Sequence, residues 1–177
     1  LYTELTRLIK ANDAEGKIHG IGIGAPNANY YTGMIEDAVN LPWPTPIPLA
    51  KLVSEKFGIP VTITNDANAA AIGEMTYGAA RGLTDFIMIT LGTGVGSGIV
   101  INGQLVYGHD GFAGELGHVI MKRNNGRLCG CGRTGCLEAY CSATGVARTA
   151  REFLEIRKEP SLLRNLHIED ITSKDVY

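Results

Sequence analysis

A chain of 177 residues, 45% of them hydrophobic, can bury a substantial core in one or two domains. Sixteen basic residues against 18 acidic ones leave a net charge of −2 with no basic run, which argues against nucleic-acid binding through this segment. No apolar run approaches the roughly 20 residues of a membrane span, no stretch reads as a signal peptide, and the Cys residues are spaced for metal, so a reducing cytoplasm is expected. The chain opens on Leu1 rather than Met, and Thr172 and Ser173 read as N-caps of a helix barely begun at Tyr177. A piece cut at both ends is expected.

Residues 1 to 11 place Leu1, Leu5, Leu8 and Ile9 on one helical face. Ile18 to Gly24 predicts a buried strand, with His19 a structural residue at its start. Residues 38 to 48 carry four Pro and cannot form a regular element. Leu49 to Phe57 returns to helical periodicity and stops at Gly58, a C′ glycine. Ile59 to Thr64 predicts a β-branched strand, followed at once by Asn65-Asp66-Ala67-Asn68 and an Ala-rich helix to about Gly78. Polar residues between a strand's carboxyl end and a helix sit where α/β sheets place ligands. Asp66 serves equally well as an N-cap on this evidence.

Asp85 to Leu91 and Gly98 to Gln104 predict two further strands. Between them runs Gly92-Thr93-Gly94-Val95-Gly96-Ser97, which has neither the spacing of a dinucleotide fingerprint nor the Lys-Ser/Thr of a P-loop. A glycine-rich hairpin can aim several N–H groups at an anion; a plain β-turn is the alternative. Residues 102 to 111 then turn, with His109 a loop residue.

His118, Cys129, Cys131 and Cys136 follow, with Gly130, Gly132 and Gly135 among them, where tight folding around an ion needs positive φ or close approach. Three thiolates and an imidazole make a closed tetrahedral site suited to structural Zn²⁺. Paired disulfides are the rival, but a Cys129–Cys131 bridge is strained and the other pairings leave His118 without a purpose. Cys141 falls outside the set, as a small buried residue. Glu115 and Glu138 bracket the cluster; taken alone they are ordinary surface charges. Ser142 caps a helix from about Ala143 to Lys158, with Val146, Ala147, Ala150, Phe153 and Leu154 inward, and a short helix and loop complete the chain.

Glu115-x-Gly-His118, then CxCGxxGCxE from Cys129 to Glu138, with NDAN at 65 to 68 and LGTGVGSGI at 91 to 99, resembles the ROK family (repressors, open reading frames and sugar kinases) through most of the chain. The resemblance implies an α/β actin-like ATPase (ribonuclease H-like) fold with a structural zinc site and parts of two domains. Residues 1–80, ending in the NDAN helix, belong on this reading to the smaller N-terminal domain, and 81–177 to the larger C-terminal one, the two meeting near Gly78 to Gly82.

It further implies that Asp66 is the catalytic base and that Asn65, Glu115, His118 and Glu138 bind sugar. His118 then holds zinc with one ring nitrogen and meets sugar with the other. Gly92, Thr93, Gly94, Val95 and Gly96 would form the second phosphate loop, holding ATP phosphates with Mg²⁺. The family's GxPG turn has Asn27 here in place of its last Gly, and its Asn-Leu-Pro segment near the sugar makes Asn40 either a polar contact or a turn former. The implied function is an ATP-dependent hexose kinase with glucose as leading substrate, with hexose and ATP as partners and a homodimer in the full-length protein. One rival is a ROK repressor that uses the sugar site as a sensor; Asp66 and the intact glycine loop favour the kinase. The other, a zinc-stabilised interaction module, leaves NDAN unexplained. The piece alone is expected to be inactive, because the family's first phosphate loop lies upstream and its adenosine pocket draws on later chain.

Overall fold

The computed structural model describes residues 1–12, 14–36, 44 and 46–177. Asn40 therefore lies outside the described residues. Two units contain them: Leu1–Ile87 with Gly98–Ala113, and Met88–Ser97 with Gly114–Tyr177.

In the first unit, α1 (Tyr2–Ala11) half-buries Leu5 and Ile9 but leaves Leu8 exposed, and its Tyr2 meets Phe57 edge-on at 6.2 Å. Strand β1 (Ile21–Gly24) pairs in parallel with β2 (Val61–Thr64), from Ile21↔Val61 to Gly24↔Thr64. Both strands start later than their apolar runs predict. Pro60 has no N–H for a ladder, although its carbonyl accepts from Ile21 at 2.9 Å, so pairing begins at Val61. The parallel connection carries α2 (Leu49–Phe57), which ends as predicted at Gly58 in the left-handed region, φ 69°. Ala28, Ile35 and Ile63 form the core, with Ile23, Leu49 and Val61 against it.

Helix α3 (Asp66–Tyr77) follows β2 directly. It lies so close to β1 that a Cβ on Gly24 would come 2.7 Å from that of Ala69. Strands β3 (Phe86–Leu91), β4 (Val95–Ile101) and β5 (Gln104–Leu105) form a second sheet in that order. Asn102 and Gly103, at φ 51° and 71°, make the tight turn between antiparallel β4 and β5. The predicted second strand thus starts earlier than expected: Val95, Gly96 and Ser97 are β4 residues, and the turn shrinks to Gly92–Gly94.

The second unit contains a 3₁₀ turn (Leu116–His118), α4 (Glu138–Cys141), α5 (Ala143–Ile156), two more 3₁₀ turns (Leu162–Asn165 and Ile168–Asp170) and α6 (Ser173–Val176). Ser142 caps α5 as predicted, accepting from the Gly145 N–H at 3.1 Å. Ala147 is buried, but Phe153 is 51% exposed and lies under the Arg157 guanidinium, against the inward placement expected of it. Arg151 ties the tail to α5 by donating to the carbonyls of Glu169 and Ile171, at 2.9 and 2.8 Å. Thr172 caps α6 in a reciprocal box with Asp175. No helix among the described residues is long and apolar enough to cross a membrane.

Candidate active site and metal centre

Asn65 and Asp66 belong to the first unit, at the carboxyl end of β2. Asn65, not Asp66, is the N-cap of α3: its Oδ1 accepts from the Ala67 N–H at 2.8 Å. Asp66 is the first helical residue, exposed, and its Oδ1 also accepts from Ala67 at 2.9 Å. The cap reading of Asp66 is therefore off by one position, since its neighbour already performs that task. Two residues on, Asn68 of the same motif is buried, and among the described residues its Oδ1 has no hydrogen-bond partner.

In the second unit, His118, Cys129, Cys131 and Cys136 bring one ligand atom each within 4.8 Å of one another, a set able to hold a metal ion. Hydrogen bonds fold the segment back on itself. The Cys129 N–H donates to the Arg133 carbonyl at 2.8 Å, and the Met121 N–H to that of Gly135 at 2.8 Å. Gly135 (φ 82°) lies against the Lys122 carbonyl with no room for a Cβ, and Gly132 (φ 85°) takes the left-handed turn. Gly130 departs from expectation: its φ is not left-handed and nothing crowds it.

The disulfide alternative is overturned. All four Cys are free, and the Cys131 and Cys136 sulfurs stand 3.7 Å apart, against about 2.05 Å for a bridge. That sulfur–sulfur separation is close to the edge of a tetrahedron around Zn²⁺, about 3.8 Å for metal–sulfur bonds near 2.3 Å, and Cys129 Sγ lies 3.7 Å from His118 Nδ1. Without metal the thiols are unequal. Burial pushes Cys129 up to about 12, while the backbone N–H of Arg133 holds Cys131 down to about 6.

His118 directs Nδ1 at Cys129 Sγ and Nε2 toward the Glu115 carboxylate, 4.0 Å away. Buried Ser97 pins this turn by donating to the Gly114 carbonyl and accepting from the Leu116 N–H. The glycine-rich turn closes through Gly92 N–H to the Gly94 carbonyl, 3.0 Å, and its Gly92 carbonyl accepts from Ala143 at 2.9 Å. Glu138 reaches the same turn: its Oε2 accepts from the Val95 N–H at 2.9 Å, while its Oε1 lies 3.6 Å from Cys129 Sγ. Glu115, His118, Glu138 and Gly92–Gly96 thus gather around the start of β4. A cavity of about 210 Å³ adjoins them, lined by Thr93, Cys129, Glu138, Thr144 and Arg148.

Sequence reading also missed Arg127. Its guanidinium donates to the carbonyls of Ala139 (3.0 Å) and Gly145 (3.2 Å) and to Glu152 Oε2 (2.6 Å), and it covers the Tyr140 ring. Arg127 thereby clamps the metal segment to α4 and α5. An Arg two residues before a Cys was its only local signal.

The sequence model of the ROK family matches residues 1–177. A glucokinase of Halalkalibacterium halodurans is 44% identical over 173 residues, covering 97% of this chain and 52% of the relative. The xylose repressor of Caldicellulosiruptor bescii is 35% identical over 164 residues, covering 92% of this chain and 41% of the relative. Among solved structures, a ROK family glucokinase from Streptomyces griseus in complex with glucose and AMPPNP superposes with TM-score 0.74 at 38% identity, over 90% of this chain and 52% of that one. The chain spans about half the length of the glucokinases it matches.

Proposed function

The chain belongs to the ROK family, and from that premise we propose that the whole protein transfers the γ-phosphoryl group of ATP to a hexose, with glucose the leading substrate. The observation that carries the reading is the divided His118 ring: Nδ1 lies 3.7 Å from Cys129 Sγ in the Cys/His cluster and Nε2 faces Glu115, beside a carboxylate that touches the glycine-rich turn. A kinase of this kind needs hydroxyl acceptors held rigidly next to a phosphate cradle, since phosphoryl transfer is mostly positioning and charge stabilisation. The glucokinase relatives support the same reading.

In this proposal Asp66, an exposed carboxylate, takes the proton from the attacking sugar hydroxyl as that oxygen bonds to the γ-phosphorus and the bond from that phosphorus to the β–γ bridging oxygen breaks, leaving ADP. Asn65, Glu115, His118 and Glu138 hold the ring hydroxyls. Gly92, Thr93, Gly94, Val95 and Gly96 cradle the phosphates, whose charge Mg²⁺ neutralises. Two of these amides already have partners, Gly92 on Gly94 and Val95 on Glu138. Zinc, bound by four protein ligands with no open position, would serve to fix His118. A division of the whole protein near Gly78 to Gly82, a homodimer and a cytoplasmic setting belong to the same proposal.

The xylose repressor relative favours one second reading, a sugar sensor that acts on transcription. A coupled assay of the full-length protein with ATP and a panel of hexoses decides between them. ATP-dependent turnover with glucose is expected. Sugar binding without turnover, together with sugar-released binding to operator DNA, would replace the kinase by the sensor.

A further inference from the structure

We propose that Glu138 is shared between the two substrates' sites, so that the glycine-rich turn positions the carboxylate that receives the sugar. The inference rests on the reading of Glu138 as a sugar ligand. It is carried by a contact the family resemblance did not specify: Glu138 Oε2 accepts from the Val95 N–H at 2.9 Å, 43 residues away in the chain. The fit continues at Gly94, where an added Cβ would lie 2.5 Å from Glu138 Oε2 and 3.4 Å from its Cδ. Among the described residues no other atom beyond Gly94 and its two chain neighbours comes within 4 Å of that position, so the absence of a side chain lets the carboxylate rest on the turn. Its other oxygen lies 3.6 Å from Cys129 Sγ, next to the metal segment.

A carboxylate has about four acceptor positions and can take a backbone N–H and sugar hydroxyls together. Hydroxyls that draw on Glu138 then alter its hold on Val95, and a displaced turn alters the geometry offered to the sugar. Such a link is reciprocal by thermodynamic necessity.

The test uses full-length protein without nucleotide, where a phosphate-binding turn alone has no reason to affect sugar. Gly94→Ala leaves the backbone conformation allowed and places its methyl against the end of a flexible side chain, so the fold should survive and the carboxylate move. Calorimetric titration with glucose should show binding about tenfold weaker in G94A, a change on the scale of one charge-assisted hydrogen bond. On an E138Q background the same substitution should cost little more than E138Q alone, because it acts through that side chain. In unsubstituted protein, the Val95 amide resonance should shift on adding glucose.

If E138Q weakens glucose binding while G94A does not, or if the two losses simply add, the link is overturned and the sugar ligand stands. If E138Q leaves glucose affinity intact, the ligand reading falls and the link with it. A Val95 amide indifferent to saturating glucose would overturn the link even were G94A to prove unstable.

Discussion

At residues 65 and 66, the capping of α3 falls to Asn65. The exposed Asp66 carboxylate is not required for that purpose. Asp66→Asn should therefore leave the melting temperature nearly unchanged while lowering kcat of the full-length protein about 10²- to 10⁴-fold, the usual worth of general-base catalysis. Steady-state kinetics check this; near-normal kcat would remove Asp66 from the mechanism. Asn65→Ala should instead destabilise by about 1 kcal/mol through the lost cap, measured by urea titration. At the metal set, Cys136 is fully buried whereas Cys141 lies outside the cluster. Metal analysis should find about one zinc per chain, lost with Cys136→Ser and retained with Cys141→Ser; a full complement of zinc in the Cys136 variant would overturn the ligand set.

Between elements, Arg127 and Glu152 join the metal segment to α5 at 2.6 Å, with Arg127 side-chain exposure only 10%. Arg127→Met leaves the carbonyls of Ala139 and Gly145 without that donor, and a loss of about 2 kcal/mol is expected in chemical denaturation. The same pair gives a pH dependence. Hydrogen bonding from Arg127 holds Glu152 below the usual glutamate value, so folding favours its ionised form. The contribution is complete above the unfolded value, about 4.3, and disappears as pH falls through the lower folded value. Glu152 is 41% exposed, and solvent screening limits the effect to about 1 kcal/mol or less. The stability gap between wild type and Glu152→Gln should thus be visible at pH 7 and narrow below pH 4; a gap that widens on acidification would contradict this assignment.

For the whole molecule, the second unit contains only short helices around the metal segment besides α5 and strand residues. Binding at a Cys₃His site adds directly to folding free energy. Exhaustive chelation should lower the melting temperature of the full-length protein by on the order of 10 °C or more, and Zn²⁺ should restore it. An unchanged transition would mean that the four side chains meet without a structural metal.

Local patterns determined much of this protein. The period of Leu49 to Phe57 and the glycine after it specify α2 and its end, because helical spacing and a left-handed cap depend on adjacent residues. The spacing of His118, Cys129, Cys131 and Cys136 brings together four side chains able to hold a metal ion for a similar reason: tight turns within a short segment suffice. The early start of β4, the exposure of Phe153 and the long-range contacts of Arg127 and Glu138 were decided only by tertiary structure. Val95 meets Glu138 across 43 positions, and Arg127 meets Glu152 across 25. Such contacts follow from packing whole elements together, which no short-range spacing encodes.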